Sequence, residues 1–497
     1  MSAPTSPPAP SSRRADAEAV VVATTRGPVR GERRADDCLR FLGIPYAQPP
    51  VGELRFAAPV PPEPWTEPLD ATAYGPTAQR RPFAEVTTIP EPSVPGAGVL
   101  NLNVFTPATD PAAALPVLVW IHGGGYVAGS AASPWYDGAS FNRDGVVLVS
   151  LGYRLGIEGF LHLDGAPDNR GVRDWIAALA WVRDNIARFG GDPAKVTIAG
   201  QSAGGGAVQT LLAVPAARGL FRSAISVSGA VLRPDGPEVA RAASRLFTDR
   251  TGVPATAAAL RDLGDDELLA LQDRLGELGP DRAGLPPLLS LAPFADGELI
   301  PVPVADALAT GEAGADVPLM LGFTAHEFNA FPAPGPDGPP VPVLLGSLGL
   351  DATRVDRFTA AYATEAPDRL FGQALTDATF RAPSLAVADA RAEREHPTWL
   401  YEFRWESPVN GSAFHCLDLP FAFDLLAAEG VTAAAGEAPP QALADAMHRA
   451  WVAFVRDQDP GEEWPRYTAD ARATMLWDAQ PRIETDPLGR VREIWLA

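Results

Sequence analysis

Six apolar stretches constrain this chain most: LPVLVWIHG (115–123), DGVVLVSLGYR (144–154), KVTIAG (195–200), FRSAISVSG (221–229), VPLMLGFT (317–324) and TWLYEFRW (398–405). Each is a continuous apolar run rather than an alternating one, and most end on glycine or a polar group. A strand with that pattern is buried on both faces, as in a parallel sheet covered by helices. Helical stripes fall between the runs. In DWIAALAWVRDNIARFGG, Trp175, Leu179, Val182, Ile186 and Phe189 recur at spacings of four and three, and Gly190–Gly191 then stop the helix. Met447, Trp451 and Phe454 make a similar stripe near the C-terminus. Strands alternating with helices predict an α/β fold with a mostly parallel central sheet flanked by helices.

At 497 residues the chain is long, yet no internal repeat or composition shift divides it. Residues 1–18, rich in Pro and Ser, read as a disordered tail, and 19–497 as one catalytic domain with helical and loop insertions around its entrance. Ala19–Gly31 reads as two strands around a turn. Pro334–Ser347 reads as a Pro/Gly loop, either a lid or a surface insertion, and Ala427–Gln441 as a small-residue loop. The tail lacks the apolar core of a signal peptide, and no long uncharged apolar stretch predicts a membrane span.

A net charge of −21 disfavours nucleic acid and anionic lipid as partners and fits small neutral or cationic substrates. Two cysteines, Cys38 and Cys416, are too few for a disulfide framework and have no metal-site spacing. A reducing compartment, the cytoplasm, is the expectation.

The chemistry gathers around Gly200–Gln201–Ser202–Ala203–Gly204, which matches G-x-S-x-G between a strand and a helix-compatible stretch. A sharp strand-to-helix turn pushes such a serine above the sheet edge, and small neighbours two places away make room for it. A serine that attacks a carbonyl creates an oxyanion, which needs preorganised N–H donors. Ala203 supplies one, and the loop Gly123–Gly124–Gly125 after the strand ending at His122 supplies the others.

The chain order on this type of sheet is nucleophile, acid, histidine. That leaves His396, His415 and His448 as candidate bases. His448 lies beside an apolar helical stripe and reads as a surface or packing residue; His396 starts a strand and reads as a cap. His415 sits in a loop beyond the strand TWLYEFRW, where catalytic groups collect, and is favoured. Glu327, just beyond VPLMLGFT, is the candidate acid, with His326 beside it a solvated neighbour.

These residues lie in segments that resemble the type-B carboxylesterases, the family of cholinesterases and bacterial para-nitrobenzyl esterases. The matching segments are FLGIPYAQPPVGELRF, LNLNVFTP, WIHGGGYVAGS, YRLGIEGFL, NRGVRDWIAALAWVRDNIARFGGDPAKVTIAGQSAGG, GFTAHEF, FHCLDLPFAF and WVAFVRD. The resemblance implies an α/β-hydrolase fold and a Ser202–Glu327–His415 triad. It further implies an oxyanion hole from Gly124, Gly125 and Ala203, and no metal or organic cofactor. The implied activity is hydrolysis of small, mostly neutral carboxylic esters through an acyl-enzyme. Carbamates, amides or lactones are the alternative substrates. A non-catalytic scaffold is the alternative class, disfavoured because every triad member is present. Monomer and homodimer stay open.

Three positions depart from the family pattern. Gln201 stands where Glu is frequent, which removes a charge beside the nucleophile and weakens attraction for cationic substrates. Ala97–Gly98–Val99 replaces the usual Glu-Asp-Cys, so the disulfide-bounded loop of cholinesterases has no counterpart. Phe328 replaces the glycine that commonly follows the acid.

Overall fold

The computed structural model describes residues 19–79, 81–82, 87–229, 235–277, 291–329 and 340–497. The segment 1–18 and residues 330–339 of the Pro/Gly stretch after Glu327 lie outside them.

The apolar runs form the strands expected of them. In chain order the strands are β1 (Ala19–Ala23), β2 (Pro28–Arg33), β3 (Leu39–Pro45), β4 (Leu69–Asp70), β5 (Asn101–Thr106), β6 (Leu115–Ile121) and β7 (Val147–Leu151). They continue with β8 (Gly191–Gln201), β9 (Ser223–Val227), β10 (Leu319–Thr324), β11 (Thr398–Phe403), β12 (Ala473–Trp477) and β13 (Arg482–Thr485). They make one sheet in the order β1-β2-β3-β5-β7-β6-β8-β9-β10-β11-β12-β13, with β4 paired to β2. From β7 to β12 every pairing is parallel. The edges β1–β2–β3–β5–β7 and β12–β13 are antiparallel.

Helices cover both faces. Along β6, Val117, Val119 and Ile121 point into one core with Trp175, Leu179 and Val182 of helix α1 (Arg170–Asn185) and Leu211 of α2 (Ala203–Ala213). Leu118 and Trp120 point into the other, with Trp399, Trp451 and Phe454. This period-two division explains why the runs read as continuous: both faces are dry.

Two loop expectations change in part. Val341–Ser347 of the Pro/Gly stretch forms helix α3. Pro342 falls in its first turn, where a missing N–H costs nothing, and Leu345 is buried against Phe358 and Tyr362. Within Ala427–Gln441, Val431–Ala435 makes a short helix with Val431 and Ala435 buried. The last stripe lies on helix α4 (Gln441–Asp457).

Trp175 is fully buried, with its ring 5.3 Å from that of Tyr153 and 5.9 Å from that of Phe160. Trp175→Ala removes the centre of this cluster, and an expected loss of about 3–5 kcal/mol is read from the urea midpoint. A loss below ~1 kcal/mol would mean that the cavity collapses around the alanine.

Candidate active site

The chain places β7 on one side of β6 and then β8 on the other, so the connections part at the carboxyl ends of β6 and β8. Such a switch point leaves a crevice where loops meet. Register sets Ile121 beside Gly200, which brings the glycine loop after β6 against the serine turn after β8.

Ser202 stands at that turn with φ 58° and ψ −120°, a conformation that an L-residue adopts only under constraint. Its N–H donates to Val227 O at 2.9 Å, and its carbonyl accepts from Gly206 at 2.9 Å, which opens α2. The side chain makes no cap bond, so the hydroxyl is not spent on the helix. A Cβ on Gly200 would strike Gly204 and Ile121, and one on Gly204 would strike the Ile121 carbonyl. The two flanking glycines are thus required by close backbone approach, as the motif predicts.

After β6, Gly124 adopts φ 107° and its carbonyl accepts from Val127 and Ala128. A Cβ on Gly123 would come within 3.2 Å of Ser202 Cβ, so the loop abuts the serine. The N–H groups of Gly124, Gly125 and Ala203 have no acceptor among the described residues. Ala203 is the first residue of α2, where no intrahelical acceptor exists. The loop is braced from below: His122 stacks on Tyr153 at 4.5 Å, and Tyr153 Oη donates to His122 O at 2.9 Å. Burial pushes the His122 imidazole down to about 4, so it stays neutral.

The next strands bring the candidate acid and the candidate base. Glu327 lies three residues past β10, with its side chain buried. Oε1 accepts from Ser228 Oγ at 2.6 Å and from the Thr324 N–H at 2.8 Å; Oε2 accepts from His415 Nδ1 at 2.5 Å. The loop beyond β11 is tied to Glu327 by its backbone, since the His415 N–H donates to Glu327 O at 3.1 Å. His326 is not a solvated neighbour. Its Nδ1 accepts from the Ala413 N–H at 3.1 Å, and burial pushes it down to about 4, so it anchors the histidine loop as a neutral ring.

Burial pulls the His415 imidazole down, the Cys416 sulfur and the Glu327 carboxylate pull it up, and the balance lies well above the ordinary histidine value. Burial pushes the Cys416 thiol up, so the thiol is neutral at pH 7 and the upward direction rests on Glu327. Asp418, fully buried nearby, is raised to about 7 by burial and by Glu327; its Oδ2 accepts from Tyr401 Oη at 2.9 Å. His415 Nε2 lies 3.1 Å from Gln201 Nε2, and the Ser202 hydroxyl has no partner among the described residues.

Two aromatic rings flank the imidazole, Phe380 at 5.1 Å and Phe328 at 5.3 Å. Phe380 lies on a π-helical turn, Asp377–Arg381, and the Phe328 N–H donates to Thr376 Oγ1 at 3.0 Å. Ser228, Phe380 and the Gln201 contact were not foreseen from the sequence. A polar residue directly after a buried strand, as Ser228 is after β9, was the one available signal. The other two candidate histidines lie elsewhere: His448 is buried between Ala422 O and Asp144, and His396 is half-buried ahead of β11.

The family profile described as "Carboxylesterase family" matches residues 18–339 and 356–495. The chain belongs to the carboxylesterase family. It is 36% identical to the para-nitrobenzyl esterase of Bacillus subtilis (strain 168), over 95% of this chain and 98% of that one. It is 33% identical to the phenmedipham hydrolase of Pseudarthrobacter oxydans, over 88% of this chain and 90% of that one. A solved PNB esterase structure superposes with a TM-score of 0.84 at 34% identity, covering 95% of this chain and 99% of that one. This carboxylesterase therefore has the α/β-hydrolase fold and is a serine hydrolase acting on carboxylic esters. No described helix is long and apolar enough to cross a membrane.

Proposed function

We propose that Ser202, His415 and Glu327 carry out ester hydrolysis as nucleophile, base and acid, with Gly124, Gly125 and Ala203 holding the oxyanion. In acylation, His415 Nε2 takes the Ser202 proton as Oγ attacks the ester carbonyl. Glu327 fixes the tautomer through Nδ1 and stabilises the imidazolium that forms. The carbonyl oxygen becomes an oxyanion facing the three N–H groups, where each donor is typically worth a few kcal/mol. The imidazolium then protonates the departing alcohol. Water, deprotonated by the same histidine, attacks the acyl-serine and releases the acid.

The observation that carries this reading is the 2.5 Å contact between the buried Glu327 carboxylate and His415 Nδ1, in a site where Nε2 touches the residue next to Ser202. The substrates are small and mostly neutral esters. The uncharged Gln201 beside the nucleophile supports neutral over cationic alcohols. Residues 19–497 act as one catalytic domain, since one sheet runs from β1 to β13. The two cysteines are free and buried, which fits a cytoplasmic setting.

A fluorophosphonate probe tests the assignment of the nucleophile. One equivalent is expected to abolish activity and to appear, by peptide mass, on Ser202. A label on another residue, or activity that survives full labelling, overturns it.

A further inference from the structure

The contact on His415 Nε2 belongs to no part of the triad. Gln201 is 1% exposed, and its side chain is confined: a Cβ on Gly123 would lie 3.1 Å from Gln201 Oε1. Which end of the amide meets the imidazole follows from the other side of the ring. Glu327 Oε2 is a carboxylate oxygen that only accepts, so Nδ1 carries a proton. In a neutral imidazole Nε2 then carries the lone pair. Only the NH₂ end of the amide pairs with a lone pair, and the 3.1 Å contact is from Gln201 Nε2.

We propose that Gln201 is a positioning residue of this carboxylesterase: its side-chain amide donates to His415 Nε2 and holds the imidazole as the neutral Nδ1–H tautomer, ready to act as base. The inference rests on the assignment of His415 as that base. A donor on Nε2 stabilises the unprotonated ring and is lost when Nε2 takes a proton. It therefore opposes the Glu327 carboxylate, which favours the protonated ring. Of the other titratable groups around the imidazole, two are uncharged at pH 7 and one carries a partial negative charge. Cys416 is a neutral thiol, Tyr401 stays protonated because burial and the nearby Asp418 push it up, and Asp418 titrates near 7. Burial of the ring also favours the neutral form, but Gln201 is the one side chain hydrogen-bonded to Nε2 among the described residues, and its donation extends the use of the base towards acid pH.

Nε2 has one lone pair. When ester enters, the Ser202 hydroxyl takes the place of the amide there, and the two exchange between adjacent residues without moving the ring. A glutamate at 201 reverses the effect: a carboxylate accepts from a protonated Nε2 and favours the imidazolium.

The test is the pH profile of kcat/KM on para-nitrophenyl acetate for the full chain, Gln201→Leu and Gln201→Glu, with His415→Ala alongside. Activity is present above the histidine midpoint and is lost as pH falls through it. Gln201→Leu is expected to raise that midpoint by about 0.5–1 pH unit, and Gln201→Glu by about 1 unit or more. The midpoint is the readout, because a residue that touches His415 can alter the plateau rate as well. Gln201→Glu is isosteric, which guards against loss of the fold, and near-UV circular dichroism checks both variants. Folded variants whose midpoints stay within about 0.2 unit of the parent overturn the role of Gln201. A flat parent profile from about pH 5 to 8, or full activity in His415→Ala, overturns instead the assignment of the base.

Discussion

Ser202→Ala lowers kcat on para-nitrophenyl acetate by about 10⁴–10⁶-fold. The substitution removes one oxygen and nothing else. Alanine has the same Cβ, so the constrained backbone at φ 58° gains no new clash, and the hydroxyl had no partner whose loss would disturb the fold. The glycine loop and the first turn of α2 stay in place, so KM should change far less than kcat. The loss is therefore chemical rather than structural, and unchanged thermal unfolding beside the kinetics makes that distinction. Activity within tenfold of the parent would falsify the assignment of the nucleophile and, with it, the acyl-enzyme.

The second large effect comes from Glu327→Gln, expected to lower kcat by about 10⁴-fold. Glu327 accepts three hydrogen bonds: from Ser228 and the Thr324 N–H on one oxygen and from His415 Nδ1 on the other. A glutamine keeps one oxygen. If that oxygen keeps the two donors, its NH₂ faces His415 and donates to Nδ1. The imidazole must then carry its proton on Nε2, where it cannot accept from Ser202. If the amide flips, the NH₂ meets the Thr324 N–H and leaves a buried donor unpaired, which costs stability. The first arrangement loses the base, and the second keeps the tautomer only at the cost of that unpaired donor and of the charge that stabilises the imidazolium. The variant should also lose the charge that raises the histidine. Kinetics with single-turnover acylation measures the effect, and a loss below tenfold would remove Glu327 from the mechanism.

The parts of this site that sequence made legible are those fixed by local backbone geometry. The turn at Ser202 needs its two glycines because the chain passes from the end of β8 straight into α2, with Gly200 packed on Gly204 and both against Ile121 of the parallel neighbour β6, and that demand is written into adjacent positions. The helical stripe is legible through local periodicity, although α1 itself ends at Asn185 and Ile186–Phe189 continues it as a 3-10 turn. Glu327 and His415, the proposed acid and base, were reachable because the strands that precede them are unbroken apolar runs. What escaped depends on lateral neighbours. Ser228 matters only because β9 lies beside β10, and nothing in SVSG states which strand pairs with it. Gln201 reads along the chain as a missing charge; its contact with His415 spans 214 positions and exists only in the folded sheet. Phe380 reaches the imidazole from a π-helical turn that carries no composition signal. Pro-rich text hid helix α3, because prolines that stop a helix in its interior fit well in its first turn.

The order of the strands carries one more implication. The proposed nucleophile and oxyanion donors come before the end of β9, and the proposed base and acid come after the start of β10. A break in the chain between those two strands would divide the machinery into halves that are each inert, an electrophile trap without a proton acceptor and the reverse. Turnover of a coloured ester would then register the reunion of two polypeptides, which makes this scaffold a natural candidate for a split reporter.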